Sequence, residues 1–138
     1  MRTIKFRGKA SRKDKDMWLC GDLIKINNSY HILGKDDMRE DGHHIKQDSD
    51  IPTWVDEKTI GQFTGVLDKN GNEIYEGDIV KVRVTNDRFK KNPRFRNGVV
   101  TFCEYDGGWT VGCYYRFLPK RMEVIGNIHD NPELMKGE

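Results

Sequence analysis

The residues best suited to chemistry in this 138-residue chain fall in 85–97, Thr-Asn-Asp-Arg-Phe-Lys-Lys-Asn-Pro-Arg-Phe-Arg-Asn. Arg88, Lys90, Lys91, Arg94 and Arg96 face a single acid, Asp87, for a net charge of +4, and Phe89 and Phe95 interleave the bases. Cations neutralise phosphates, and exposed rings stack on bases or anchor a partner. The loop is therefore a candidate nucleic-acid or partner-binding surface. The opposite composition fills 36–57, where eight acids stand against Arg39 and Lys46, net −6. With few apolar residues, 36–50 reads as a solvated acidic loop. Two loops of opposite sign on one chain suit self-association, with charge fixing the register. Exposed aromatics such as Trp54, Phe89 and Phe95 would anchor such a contact, with Asp48 and Asp50 near Trp54.

Other chemistry finds little support. His43 and His44 adjoin, but neighbours on an extended chain point to opposite sides, and His31 and His129 are far away in sequence, so no metal site is expected. Cys20, Cys103 and Cys113 form no Cys-x-x-Cys pair. Cys103 and Cys113 fall on adjacent strands of one expected hairpin and read as small sheet residues of a reduced protein, not as nucleophiles. No catalytic triad pattern, phosphate-cradling glycine loop or pair of carboxylates on one rigid element is visible. The reading is of no enzyme, no cofactor and no small-molecule substrate.

The elements that must hold these loops are strands. Residues 3–9 alternate, with Ile4 and Phe6 on one face and Lys5 and Arg7 on the other. Residues 17–26 continue in β character with a bulge or break at Gly21-Asp22, Asn27-Asn28 turns the chain, and 29–33 return. Trp54 and Val55 re-enter the sheet, or 55–60 form a single helical turn. In the stretch 61–82, Asn70-Gly71 is a strong turn signal, and Gly77-Asp78 is a sharp entry into a strand. Val80, Val82 and Val84 then alternate with Lys81 and Arg83, the pattern of a half-buried antiparallel strand. Gly65, Gly71 and Gly77 serve backbone geometry, and Asn70 and Asp78 serve turn hydrogen bonds. Further strands are expected over 98–105, 109–115 and 122–128, with a break at Pro119. Asn131-Pro132 opens a short helical turn, with Asn131 as N-cap.

The run Gln62-Phe-Thr-Gly-Val-Leu-Asp-Lys-Asn-Gly-Asn-Glu-Ile-Tyr-Glu-Gly-Asp-Ile-Val80 resembles the signature of the YopX family of phage and prophage proteins. The opening Ile4-Lys-Phe-Arg7 and the ending Glu123-Val-Ile-Gly-Asn-Ile-His-Asp-Asn-Pro-Glu-Leu134 agree with it and stand in the family's order. The resemblance implies a β-rich protein encoded by phages of Gram-positive bacteria, with no established activity and no catalytic residues to carry over. From Gly77 onward the order of strand, loop, strand, glycine turn, strand and late strand also resembles an SH3-like small barrel, an architecture that hosts many roles.

The expected fold is therefore mainly β. An antiparallel meander with its acidic loop occupies 1–55, and an SH3-like β-barrel with a short C-terminal helical turn occupies 56–138, the two forming separate domains or one continuous domain. Hydrophobic content of 36% against 33% charged gives a lean core, which oligomerisation would relieve. The net charge of +2 is too small to imply nucleic-acid binding by itself. The basic start lacks an apolar signal region, and no run reaches the roughly 18–20 residues of a membrane helix. These features suggest a soluble protein of the host bacterial cytoplasm. The functional reading is a non-enzymatic interaction module that self-assembles; the alternative is a nucleic-acid-binding barrel using loop 85–97.

Overall fold

The structure is a computed structural model and describes residues 2–10, 17–37, 52–83, 94–112 and 115–136. These fall into two compact units, Met1–Phe63 and Thr64–Glu138. The strands make two antiparallel sheets, so the fold is mainly β.

In the first unit β1 (Phe6–Lys9), β2 (Trp18–Ile26), β3 (Ser29–Asp37) and β4 (Thr53–Trp54) lie in the order β4-β3-β2-β1. The start of β5 (Gly61–Leu67) runs beside β1 through Phe6↔Gln62 and Arg7↔Gly61. The β2–β3 hairpin closes at Asn27, whose φ of 56° is the left-handed region that asparagine tolerates. The ladder slips between Cys20 and Asp22, so Gly21-Asp22 is a bulge and the strand continues past it. That continuation carries β3 to Asp37. Asp36 and Asp37, expected in the acidic loop, pair with Cys20 and Leu19 instead. A ladder that keeps offering backbone partners overrides a polar composition.

Both readings of the segment after Trp54 hold in succession. Val55 bridges to Ala10, and Glu57–Thr59 then makes one 3-10 turn whose Lys58 N–H donates to the Asp56 carboxylate at 3.1 Å. Thr59 ties this turn to β1, since the Lys9 N–H donates to its Oγ1 at 2.8 Å. Ala10, Met17, Leu19, Ile32 and Val55 form the buried cluster, with Leu23, Tyr30 and Ile60 packed on it.

The other face of β1 departs from expectation. Arg7 is only 6% exposed and lies over the Trp18 ring at 4.8 Å, and Lys9 stands 5.5 Å from the same ring. The register Lys9↔Trp18 explains this, because it puts the indole on the same face as Lys9 and Arg7, and their stems cover it. Ile4, expected in the first strand on the face of Phe6, precedes β1 and is exposed.

The second unit holds the rest of β5 and β6 (Glu73–Tyr75), tied by Thr64 Oγ1 donating to the Ile74 carbonyl at 2.8 Å. It also holds β7 (Asp78–Arg83), β8 (Phe95–Cys103), β9 (Gly108–Val111), β10 (Tyr115–Arg116) and β11 (Met122–Asn127). These five run in the order β10-β9-β8-β7-β11, and among the described residues no pairing closes them into a barrel. Ile74, Val80, Val82, Val100, Val111 and Met122 fill the interior. Gly98 is required where β8 passes β9, because a Cβ there would run into Val111 Cγ1.

A 3-10 turn, Pro119–Arg121, interrupts the chain before β11, where proline cannot donate to a ladder. Pro132–Met135 make another 3-10 turn after Asn131, but the Asn131 side chain does not cap it. Its Oδ1 accepts from the Asn127 N–H at 3.3 Å instead.

Candidate nucleic-acid interface

β8 begins at Phe95, three residues before the expected Gly98, and this early start builds a surface. The register pairs Arg83 with Phe95 and Lys81 with Asn97, while Val82 faces Arg96. By strand alternation Lys81, Arg83, Phe95 and Asn97 share the outer face, opposite the core residues Val80 and Val82. Lys81 and Arg83 are exposed, Phe95 is 46% exposed, and Lys81 Nζ lies 4.8 Å from the centre of its ring. Glu123 of β11 is the cross-strand neighbour of Lys81, but Lys69 Nζ sits 3.6 Å from its Oε2. Asn97 Nδ2 donates to the Leu134 carbonyl at 3.0 Å, which bounds the surface on one side.

The loop residues singled out from sequence are therefore divided. Phe95 is on the outer face, and Arg94 and Arg96 are exposed, but Arg96 alternates to the opposite face. Arg88, Phe89, Lys90 and Lys91 lie outside the described residues. Lys81 and Arg83 were missed as site residues. Their signal was present in the period-two pattern of β7, whose polar face needed only the register to β8 to meet Phe95. A cation over an exposed ring contributes about 0.5–1 kcal/mol. A nucleic-acid base stacked on an aromatic side chain contributes about 1–3 kcal/mol.

The stretch 61–82 does structural work around this surface. Gly65, Gly71 and Gly77 have φ of 91°, 84° and 89°. At Gly77 the positive φ makes the tight entry to β7, with its N–H donating to the Val100 carbonyl at 2.9 Å. Asp78 is buried, and its Oδ2 accepts the Tyr75 N–H at 2.7 Å, the turn role expected of it. Asn70 takes part in its turn through its N–H, which donates to Asp68.

Asp68 itself organises that turn. Oδ1 accepts from the N–H groups of Asn70 (2.8 Å) and Asn72 (2.9 Å), and Oδ2 accepts from the Val124 N–H (2.9 Å). Burial opposes its ionisation, yet the donors of Val124, Asn72 and Asn70 prevail and hold the carboxyl below the ordinary aspartate range. Sequence reading overlooked Asp68, although an aspartate two residues before Asn-Gly is the signature of such a turn.

The same geometry covers a sheet edge. The Lys69 N–H donates to the Met122 carbonyl at 3.1 Å while Asp68 takes the Val124 N–H, so the turn occupies the outer rim of β11. At the far end of β11, Asn127 Oδ1 accepts the N–H groups of His129 (3.0 Å) and Asp130 (2.9 Å), and Asn131 accepts from the Asn127 N–H.

The family comparison agrees in extent with this two-ended construction. The sequence model described as YopX protein matches residues 5–136, nearly the whole chain. The chain belongs to the YopX family. Among solved structures it is similar to the crystal structure of protein EF1440 from Enterococcus faecalis, with TM-score 0.51 and 21% identity over 99% of this chain and 100% of that one. At that identity the likeness speaks to the fold. No curated protein matches the chain. Within it the run 62–80 is the part that turns the chain, with Asp68 and Asp78 as its buried acceptors.

Of the predicted oligomer contact, Trp54 is described. It is 46% exposed on β4, edge-on to the His31 ring at 5.6 Å, and borders a cleft of about 240 Å³ with Tyr30 and Glu57. Asp48 and Asp50 lie outside the described residues, as do His43, His44 and Cys113. Cys20 is buried and Cys103 half-buried, and neither is in a disulfide. Among the described residues no three of His, Cys, Asp and Glu gather as metal ligands, and no helix is long and apolar enough to cross a membrane.

Proposed function

We propose that the protein is a non-enzymatic interaction module of phage or prophage origin, working in the host bacterial cytoplasm, that holds nucleic acid on the outer face of β7 and β8. The observation that carries this reading is the exposed Phe95 ring, directly across from Arg83 and with the Lys81 ammonium over it. Cations for phosphate and a ring for a base on one flat strand pair are the two components of sequence-tolerant nucleic-acid binding. We also read the second unit as an SH3-like small barrel. A meander β7-β8-β9 with a late strand returned beside β7 supports that architecture. Such folds serve many roles, so the surface carries the argument and the fold does not.

Binding of labelled oligonucleotides, followed by fluorescence anisotropy over a range of salt, tests the reading. Affinity should fall as salt rises, and Lys81→Glu should weaken binding and lower the log–log salt slope by about 1. Absence of binding at low salt would end it.

A second reading, self-assembly, rests on Trp54, a large exposed ring on the two-residue edge strand β4. Light scattering after size exclusion should then show an oligomer that Trp54→Ala dissociates. A monomer at high concentration, indifferent to salt, removes this reading.

A further inference from the structure

We propose that the β7–β8 surface selects unpaired nucleic acid, by exchanging a lysine for a base. In the free protein Lys81 covers the Phe95 ring; an incoming base displaces it, and the released ammonium moves to a phosphate of the same strand. This deepens the reading given above and rests on it.

The geometry points to exchange and not to simple addition. Phe95 is the first residue of β8, 46% exposed, and one face of its ring is already occupied by Lys81 Nζ at 4.8 Å. Among the described residues the ring is the contact that this ammonium makes. The acid directly across from Lys81 on β11, Glu123, is engaged by Lys69. The lysine is therefore the weaker of the two partners that the ring can have, and is long enough to swing away without moving the strand. Arg83 stands directly across from Phe95, roughly 7 Å along β7 from Lys81. Two cations of β7 therefore neighbour the stacked base, one across from it and one diagonal to it.

A duplex cannot use this arrangement. Its bases are stacked on one another and show the protein only their edges and phosphates, whereas an unpaired strand can splay a base onto a ring. Selection for single strands thus follows from the ring, and affinity for polyanions in general from the cations.

The experiment compares three probes of equal length by fluorescence anisotropy: single-stranded oligothymidine, the same backbone with abasic residues, and a duplex. Oligothymidine should bind about tenfold tighter than the abasic strand. Phe95→Ala should close that gap, and Phe95→Trp should keep it, with indole fluorescence quenched by oligothymidine and not by the abasic strand. Equal, salt-dependent binding of all three probes would overturn the exchange while leaving the polyanion-binding surface intact. A gap that survives Phe95→Ala would overturn it too, by placing the base elsewhere. If no probe binds, the proposed function falls and the exchange with it.

Discussion

Arg7 in the first unit and Lys81 in the second each hold a cation 4.8 Å from an aromatic ring, on the outer side of a strand in an antiparallel sheet. Their surroundings differ. Arg7 is buried over Trp18, with Lys9 sharing the ring. Lys81 is exposed over a half-exposed Phe95, with no second cation on that ring among the described residues. Desolvation raises the value of a cation over a ring from about 0.5–1 to about 2 kcal/mol or more, and it removes the water that would let the pair part. The first pair is therefore fixed as part of the fold, and the second is free to exchange partners. Distance alone does not separate a structural contact from a functional one; burial does.

The largest test of this contrast is stability. Arg7→Ala removes a desolvated cation and the stem that covers the indole, so it should lower unfolding free energy by about 2–3 kcal/mol. Lys81→Ala should cost no more than about 1 kcal/mol in the same urea titration, since exposed contacts of this kind are worth little. Equal losses would break the contrast, and would mean that the exposed stack is also a structural one.

How far the sequence shows this is uneven, for a physical reason. The strands, the turns at Asn27, Gly71 and Gly107, and the inward valines of β7 are visible in local patterns, because turn chemistry and period-two alternation are properties of neighbours. The turn function of Asp78 was legible in the same way. Register is a property of pairs distant in sequence. Nothing local says that Arg83 faces Phe95 or that Lys9 faces Trp18, so the sequence reading gives Lys5 and Arg7 a face but no partner and does not count the cations of β7 as site residues. The charge of 85–97 drew attention to a loop, whereas the described part of the surface takes its cations from the strand before it. The continuation of β3 through Asp37 is another case, where pairing past a bulge overrides acidic composition.

Asp68 sharpens the comparison, because it is a buried charge in the same unit as the exposed stack. If burial and not location decides which charges are structural, Asp68 should behave as Arg7 does. Its carboxylate is 6% exposed and accepts from the N–H groups of Asn70, Asn72 and Val124. Asp68→Asn keeps an oxygen for the turn but turns an amide nitrogen toward the Val124 N–H, leaving that donor unsatisfied at a cost of about 2 kcal/mol. The pH dependence has a definite sign. The folded carboxyl ionises below the unfolded value of about 3.9, so its contribution is fully present above that value and is lost as pH falls through the lower, folded one. The gap between wild type and Asp68→Asn in urea midpoints should thus be widest near neutral pH and shrink below about pH 4. A gap that stays constant into acid would show that the turn is held by shape and not by the charge. Nucleic-acid affinity should be unchanged by the substitution at neutral pH, because the outer face of β7 and β8 does not include Asp68.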